Sequence, residues 1–468
     1  MILAILALAF GIRLININQS FWLDEAINVV YAKQLSFWQF VTSYPIGDFH
    51  PPGWFAILWI TTHIFGFSEI SARLPSLLLG IGTVYLIYLI GKQLFNKRVA
   101  LISSLLLALA PLHIYYSQEA RMYSLAAFAA TLSTYYFIKL VKGKGVFMDS
   151  LYYFLSLLLV FSSDYLAYLI IPVHLFHVFF FHKKDWVKLS RPILVSFIFL
   201  IPLSGFFIRQ LDQGLYTAKN LPGWGDIVGG FGLKEAVLLP VKILIGRISP
   251  DNKLIYIALI IAVSLPYIAV LLKTLKIKAQ ENLLWTWVIL PPLFALIISL
   301  FIPVFAYFRV LFILPAFYLL TALGISKYKK LFSNIILLLI ILIQFTASTV
   351  YLINPKFHRE DWRSAVNYVE ANSNRNALSV FVTDGQTALY VYYSEYAKNK
   401  SSYSKSVPWS FESKWQSQNP KTIWLFRYLQ PVFDPDEDTL RSIEEAGYQK
   451  LEEKDFNQIV IWRYLKID

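Results

Sequence analysis

Cysteine is absent from this chain, which excludes disulfides, thiolate metal sites and thiol nucleophiles and leaves the compartment open. Charge is nearly as scarce. Only 15% of the 468 residues are Asp, Glu, Lys or Arg, with 29 acids against 42 bases. A soluble domain carries about 25% charged and about 45–50% apolar residues; this chain is 57% hydrophobic, with a mean hydropathy of +0.54. A Gly-rich phosphate loop of the GxxxxGK[ST] type is also missing, which argues against nucleotide hydrolysis. What is present fits a membrane protein, including 17% aromatic residues of the kind that line membrane interfaces. The net charge of +13 then reads as basic residues gathered in short cytoplasmic loops. No basic groove interleaved with aromatics points to nucleic acid.

Apolar runs approaching the about 17–25 residues needed to cross a bilayer fall near 1–17, 72–91, 99–113, 120–140, 150–163, 165–181, 191–208, 254–273, 283–303, 305–325 and 331–353. This predicts about eleven spans, the first retained because it lacks a basic leader and a small-residue cleavage site. Lysines and arginines cluster at every second loop: Lys92, Lys97 and Arg98; Lys139, Lys142 and Lys144; Lys183, Lys184, Lys188 and Arg191; Lys273, Lys276 and Lys278; Lys327, Lys329 and Lys330. By the positive-inside rule these loops are cytoplasmic, so the N-terminus is inside and the C-terminal region outside. That orientation leaves the apolar stretches 53–66 and 236–246 as juxtamembrane or re-entrant segments within outer loops 18–71 and 209–252, unless 53–66 crosses as a pair with 67–91. Residues 1–353 thus form a transmembrane part. Beyond it, 354–468 turns polar, with strands expected at 378–382, 422–426 and 458–462, helices near 361–371, 386–398 and 436–445, and a mobile loop at 398–406. A small extracytoplasmic α/β domain is the reading.

The outer loops, poor in lysine and arginine, hold the polar residues that could do chemistry. Asp24 and Glu25 follow the first span in Phe21-Trp22-Leu23-Asp24-Glu25. Acids there stabilise a helix N-terminus; alternatively, a carboxylate in that position can take a proton from an acceptor hydroxyl. His50 stands before Pro51-Pro52, which hold it rigidly near the surface as a capping or a functional group. Glu119, Arg121 and Tyr123 lie in Ser117-Gln118-Glu119-Ala120-Arg121-Met122-Tyr123 at the outer end of a span. That is either an interface belt or a charged set kept for use. Arg309 begins a later span, where it either snorkels or meets a lipid phosphate. Asp164 occupies an outer turn that could face the same cavity.

Together, the acidic pair after span one, the outer-loop His50-Pro51-Pro52, the Ser117–Tyr123 motif and the polar outer C-terminal region resemble the GT-C glycosyltransferases. The nearest types are the bacterial relatives of protein O-mannosyltransferases and aminoarabinose transferases (glycosyltransferase family 39-like). The resemblance is clear over residues 15–140. It implies a sugar donor on a polyprenyl phosphate, an extracytoplasmic lipid, glycan or protein acceptor, and an inverting single displacement in the plasma membrane. Asp24 would be the general base and Glu25 its support; His50, Glu119, Arg121, Tyr123 and Arg309 would bind substrate. Neither a metal nor another cofactor is called for. One departure stands out: aminoarabinose transferases carry Lys-Pro where this chain has His50-Pro51, which argues against that activity. The rival reading is a transporter or lipid-linked sugar flippase, which would place its ionisable residues near mid-membrane.

Overall fold

A computed structural model describes residues 1–143, 146–221, 223, 229–275, 278–373, 377–383, 385–394, 405–408 and 419–467. The chain opens with α1 (Ile2–Leu14), then α2 (Leu23–Gln34), α3 (Phe37–Thr42), α4 (Pro45–Asp48) and α5 (Gly53–Phe65). The long α6 (Glu69–Leu94) leads into α7 (Lys97–Leu109), α8 (Pro111–Ser117), α9 (Tyr123–Val141) and α10 (Val146–Ser163). There follow α11 (Ile170–Phe181), α12 (Trp186–Ile198), α13 (Ile201–Asn220), α14 (Leu233–Ile245), α15 (Lys253–Leu272), α16 (Ala279–Ile298), α17 (Leu314–Ser326) and α18 (Lys330–Ile353).

Among the described residues, five helices (α6, α9, α15, α16 and α18) are long and apolar enough to cross a membrane, or up to seven if each of two bent pairs is one span. That is fewer than the eleven spans expected, and proline accounts for part of the difference. Proline removes an amide donor and its ring strikes the carbonyl four residues back. Pro111 separates α7 from α8, which bend by 62°. Pro202 sits at the start of α13 and α12 ends four residues earlier at Ile198, so the expected span 191–208 is two helices. At 13 residues, α1 rises only about 20 Å, short of the roughly 30 Å hydrocarbon core. Helices α5 and α14 occupy the stretches 53–66 and 236–246.

The first half packs around α6, which lies against α1, α7, α8 and α9. Close approach needs a small residue: a Cβ on Gly80 would lie 2.3 Å from Ser117 Oγ. Arg13 seals the α7–α8 break, donating to the Ala9 and Ala108 carbonyls at 3.0 and 3.1 Å and meeting His113 Nδ1 at 2.7 Å.

The C-terminal part holds α19 (Trp362–Ala371), α20 (Gln386–Tyr393) and α21 (Asp438–Glu445). Its five-stranded sheet comprises β1 (Ala377–Phe381), β2 (Lys405–Pro408), β3 (Thr422–Phe426), β4 (Tyr448–Asp455) and β5 (Val460–Lys466), ordered β2-β1-β3-β5-β4. β1 is parallel to β2 and β3, whereas β5 is antiparallel to β3 and β4. β1 and β3 are buried along their whole length, as strands covered on both faces are. Two of the expected strands therefore form without solvent-facing positions. Expected helix 386–398 runs only to Tyr393, with 395–398 outside the described residues; of the expected loop 398–406, residues 398–404 also lie outside and 405–406 begin β2.

This sheet unit is fastened to the loops after α1 and α5. Tyr393 Oη accepts from the Phe21 amide at 2.7 Å and donates to Glu69 at 2.8 Å. Arg363 donates to Glu69 and to the Asn18 carbonyl at 2.5 and 2.9 Å, and Tyr392 donates to the Phe67 carbonyl at 2.7 Å.

Candidate active site

Adjacent in sequence, Asp24 and Glu25 point to different surroundings. Glu25 is fully buried. Its carboxylate accepts from Arg73 Nε at 2.9 Å and Nη2 at 2.5 Å, from the Ala120 amide at 2.6 Å and from the Trp22 amide at 3.4 Å. Burial opposes its ionisation, but the Arg73 and Arg359 guanidiniums and the Ala120 amide outweigh that and hold its pKa below the ordinary value. The helix-capping role considered for Asp24 thus falls to Glu25. Expected to support Asp24, Glu25 ties α2 to α6 and to the Glu119–Arg121 loop, with both oxygens occupied. Asp24, one residue earlier, leaves 36% of its side chain exposed and lies 3.5 Å from Arg121 Nη2.

Arg121 is the hub of the buried set. Its Nη1 donates to Asp48 Oδ2 at 2.8 Å, and Nη2 approaches His50 Nε2 at 3.4 Å. With its amide oxygen turned towards Arg121, Asn28 accepts from Nη1 at 2.8 Å while its nitrogen donates to Asp48 at 3.1 Å. Burial raises the Asp48 pKa, with Arg121 pulling the other way. His50 is pushed well below its ordinary value by burial and by the Arg121 and Arg309 charges. Its 3.9 Å approach to Asp48 Oδ1 therefore involves a neutral imidazole near pH 7 and is not an ion pair. Gln210 donates to the His50 carbonyl at 3.0 Å, bracing the turn that the two prolines rigidify.

Glu119 makes its hydrogen bond to the C-terminal part. Arg359 Nη2 donates to its Oε2 at 2.9 Å, Arg359 Nε lies 3.6 Å from Glu25, and the guanidinium stacks 4.3 Å over the Tyr115 ring. Burial dominates at Glu119 and raises its pKa to about 7 in spite of Arg359. On the same tyrosine, Arg247 stacks 4.6 Å from the ring and donates to the phenol oxygen, while its side chain stays open to solvent. Tyr123 is buried edge-on against Phe308 and Tyr116, with centroids 5.3 and 5.1 Å apart. Arg309 is half-buried and makes no ion pair among the described residues; its Nε has no hydrogen-bond partner. Asp164 accepts from the Leu166 amide at 2.8 Å; burial raises its pKa while the Arg309 and Arg121 charges oppose.

The contacts join Asp24, Arg121, Asp48 and His50 in one group and Glu25, Arg73, Arg359 and Glu119 in a second, with Arg247 on the Tyr115 that Arg359 covers. Arg309, Tyr123 and Asp164 belong to neither group by contact, though the Arg121 and Arg309 charges reach Tyr123 and Asp164. Four members were missed. Asp48 stood in the His50 segment and was passed over. Arg73 lies inside an apolar span, where its charge was a signal left unused. Arg247 and Arg359 sit in polar stretches where one arginine looks like any other. Among the described residues, no group of three or more His, Asp or Glu could hold a metal ion.

Comparison with known proteins concerns the fold and part of the sequence. The dolichyl-phosphate-mannose-protein mannosyltransferase family profile matches residues 49–208, which include His50, Glu119, Arg121, Tyr123 and Asp164. The mannosyltransferase-like proteins YkcB and YycA of Bacillus subtilis (strain 168) are 30% and 28% identical over 187 and 235 residues. Those stretches cover 37% and 48% of this chain but only 25% and 33% of the relatives, so the chain spans a quarter to a third of their length. Cupriavidus metallidurans ArnT, in the apo state, superposes over 99% of this chain and 97% of its own with a TM-score of 0.59 at 11% identity. Its complex with undecaprenyl phosphate gives 0.58 over the same shares, again at 11% identity. The Archaeoglobus fulgidus oligosaccharyltransferase with Zn and sulfate gives 0.56 at 14% identity, over 98% of this chain and 72% of its own. Over nearly the whole chain the fold is that of ArnT, and over residues 49–208 the sequence is similar to the dolichyl-phosphate-mannose-protein mannosyltransferase family, in a protein with several helices long and apolar enough to cross a membrane.

Proposed function

We propose that the protein transfers a sugar from a polyprenyl-phosphate carrier to a hydroxyl-bearing lipid, glycan or protein acceptor at the outer face of the cell membrane. The observation that carries this reading is the contrast between Asp24 and its surroundings. It is the accessible carboxylate of the group, held 3.5 Å from Arg121, while Glu25, Asp48 and Glu119 are buried and paired with arginine. A carboxylate so placed can accept the acceptor's proton as its oxygen attacks the anomeric carbon. The bond from that carbon to the phosphate oxygen breaks on the opposite side, giving inversion and releasing the polyprenyl phosphate with one more negative charge. Half-buried Arg309 and accessible Arg247 supply cations that make no carboxylate contact among the described residues and could stabilise that charge. The undecaprenyl phosphate named with ArnT and the dolichol-phosphate named with the Archaeoglobus fulgidus oligosaccharyltransferase AglB support a lipid phosphate as the carrier here.

Against transport, the ionisable cluster gathers at helix ends and loops. Even Asp164 follows the last residue of α10 and caps a turn. Asp24→Asn should lower transfer from a polyprenyl-phosphate sugar by about 10²–10⁴-fold and leave binding of the lipid phosphate unchanged. Radiolabelled transfer assays in proteoliposomes check this, and wild-type turnover in the variant would overturn the mechanism.

A further inference from the structure

We infer that Arg359 is a positioning residue for Glu25 and Glu119, and that the C-terminal sheet completes the active site by holding it there. The inference deepens the proposed function and rests on it for what the glutamates do.

Three observations carry it. First, Arg359 reaches out of the C-terminal part into the membrane part: its side chain is 1% exposed, with Nη2 2.9 Å from Glu119 and Nε 3.6 Å from Glu25. Among the described residues it is the one hydrogen-bond donor to the Glu119 carboxylate. Second, its backbone is gripped from the sheet. In the turn between β4 and β5, Asn457 Nδ2 donates to the Arg359 carbonyl at 2.8 Å and to the His358 carbonyl at 3.3 Å. The Asp361 amide donates to the Phe456 carbonyl at 3.3 Å, and the Arg359 amide donates to Gln19 Oε1 at 3.2 Å. Third, the carboxylates it joins bracket the hub. Glu25 accepts from the Ala120 amide, between Glu119 and the Arg121 that faces Asp24. A buried ion pair is weak evidence for stability, because an apolar replacement is often as stable. Two buried carboxylates bridged by an arginine from another part of the chain are better accounted for by what their charge does in the site.

The groups facing Glu119 are Arg359, Arg247, Arg121 and Glu25, with Tyr115, Tyr116 and Tyr123 around them. Arg121 is engaged by Asp24 and Asp48, and Arg247 by Tyr115. Without Arg359, the buried carboxyl keeps its proton to higher pH. An ionised Glu119, able to accept sugar hydroxyls, is then less populated at neutral pH.

The test uses full-length protein in lipid nanodiscs and two readouts. pH-dependent infrared difference spectra follow the Glu119 carboxyl band, assigned by its loss in Glu119→Gln. Arg359→Gln should move its midpoint upward by about one pH unit or more, a tenfold gain in proton affinity. Asn457→Gly keeps a residue suited to the positive φ of 48° but deletes the side-chain donor, and should shift the midpoint the same way by less. In transfer assays both variants should lower kcat with little change in donor KM, and their acid limb should move alkaline; Arg359→Lys should recover part of the loss. An unmoved band in Arg359→Gln overturns the inference. If that variant fails to fold, Asn457→Gly decides alone, with an unmoved band again overturning it. A wild-type protein that transfers no sugar would instead overturn the proposed function, while the infrared measurement still decides the role of Arg359.

Discussion

Taking a carboxylate out of water costs several kcal/mol even after the protein relaxes, and at Glu25 three partners offset that cost. Removing the charge by Glu25→Gln leaves Arg73 buried beside a neutral amide, so we expect a loss of about 3–5 kcal/mol at neutral pH. The pH dependence has a definite sign. The folded pKa of Glu25 lies below the ordinary glutamate value of about 4.5, so its stabilisation is fully present above about that pH and is lost as pH falls through the folded value. The gap between wild type and variant, followed by thermal unfolding in detergent, should therefore narrow on acidification below about 4.5. A widening gap would contradict the ionised assignment. Much of this residue-level arrangement was legible. Asp24, His50, Glu119, Arg121 and Arg309 drew notice because charge near a membrane boundary is expensive enough to need a reason. The sequence could not show that Glu25 turns inwards and Asp24 outwards, because that depends on which face of α2 meets α6. Nor could it show Arg359 as a partner, since pairing across 240 positions leaves no local pattern.

Elements were legible by hydrophobicity and blurred by proline. The expected run 72–91 became α6 with a few residues added at each end, although it contains Arg73 and Pro75; the proline lies in the second turn, close to the first turn where proline is tolerated best. The runs 99–113 and 191–208 are as apolar but contain or adjoin Pro111 and Pro202, which break them in two. Where α6 passes α8, Gly80 is the enabling residue. Gly80→Ala would drive a methyl to 2.3 Å from Ser117 Oγ and 2.9 Å from its Cβ, so the helices must part. We expect a cost of about 1–3 kcal/mol, as for other overpacked cores, with part recovered in Gly80→Ala/Ser117→Ala because the oxygen is the nearer of the two atoms. Thermal midpoints of the single and double variants check this; no recovery would move the clash elsewhere in the α6 backbone.

For the molecule as a whole, a membrane part followed by a small α/β unit was foreseen, but their dependence on each other was not. The polar composition after residue 354 marks a change of solvent and says nothing of what the new unit touches. The structure fastens it through Tyr393, Arg363 and Tyr392 to the segments around Phe21 and Glu69. Tyr393→Phe removes one acceptor from the Phe21 amide and one donor to Glu69. Hydrogen exchange at residues 18–22 should accelerate by roughly 10-fold or more, as for loss of a hydrogen bond to a charged group of about 1.5–3 kcal/mol, while exchange within α9 stays unchanged. Equal acceleration in both would indicate general loosening instead of local undocking.

The grip of Asn457 on the Arg359 backbone also bears on how the protein is made. Glu25 leaves the ribosome more than four hundred residues before Asn457 does. At about 5–20 residues per second it waits on the order of 20–90 s for the turn that fixes its arginine. Through that interval the membrane helices can already be inserted, with Glu25 held by Arg73 and Arg359 not yet gripped by the turn. Under the proposed role of Arg359, a chain that stops before the β4–β5 hairpin would occupy the membrane yet transfer more slowly than one that includes it.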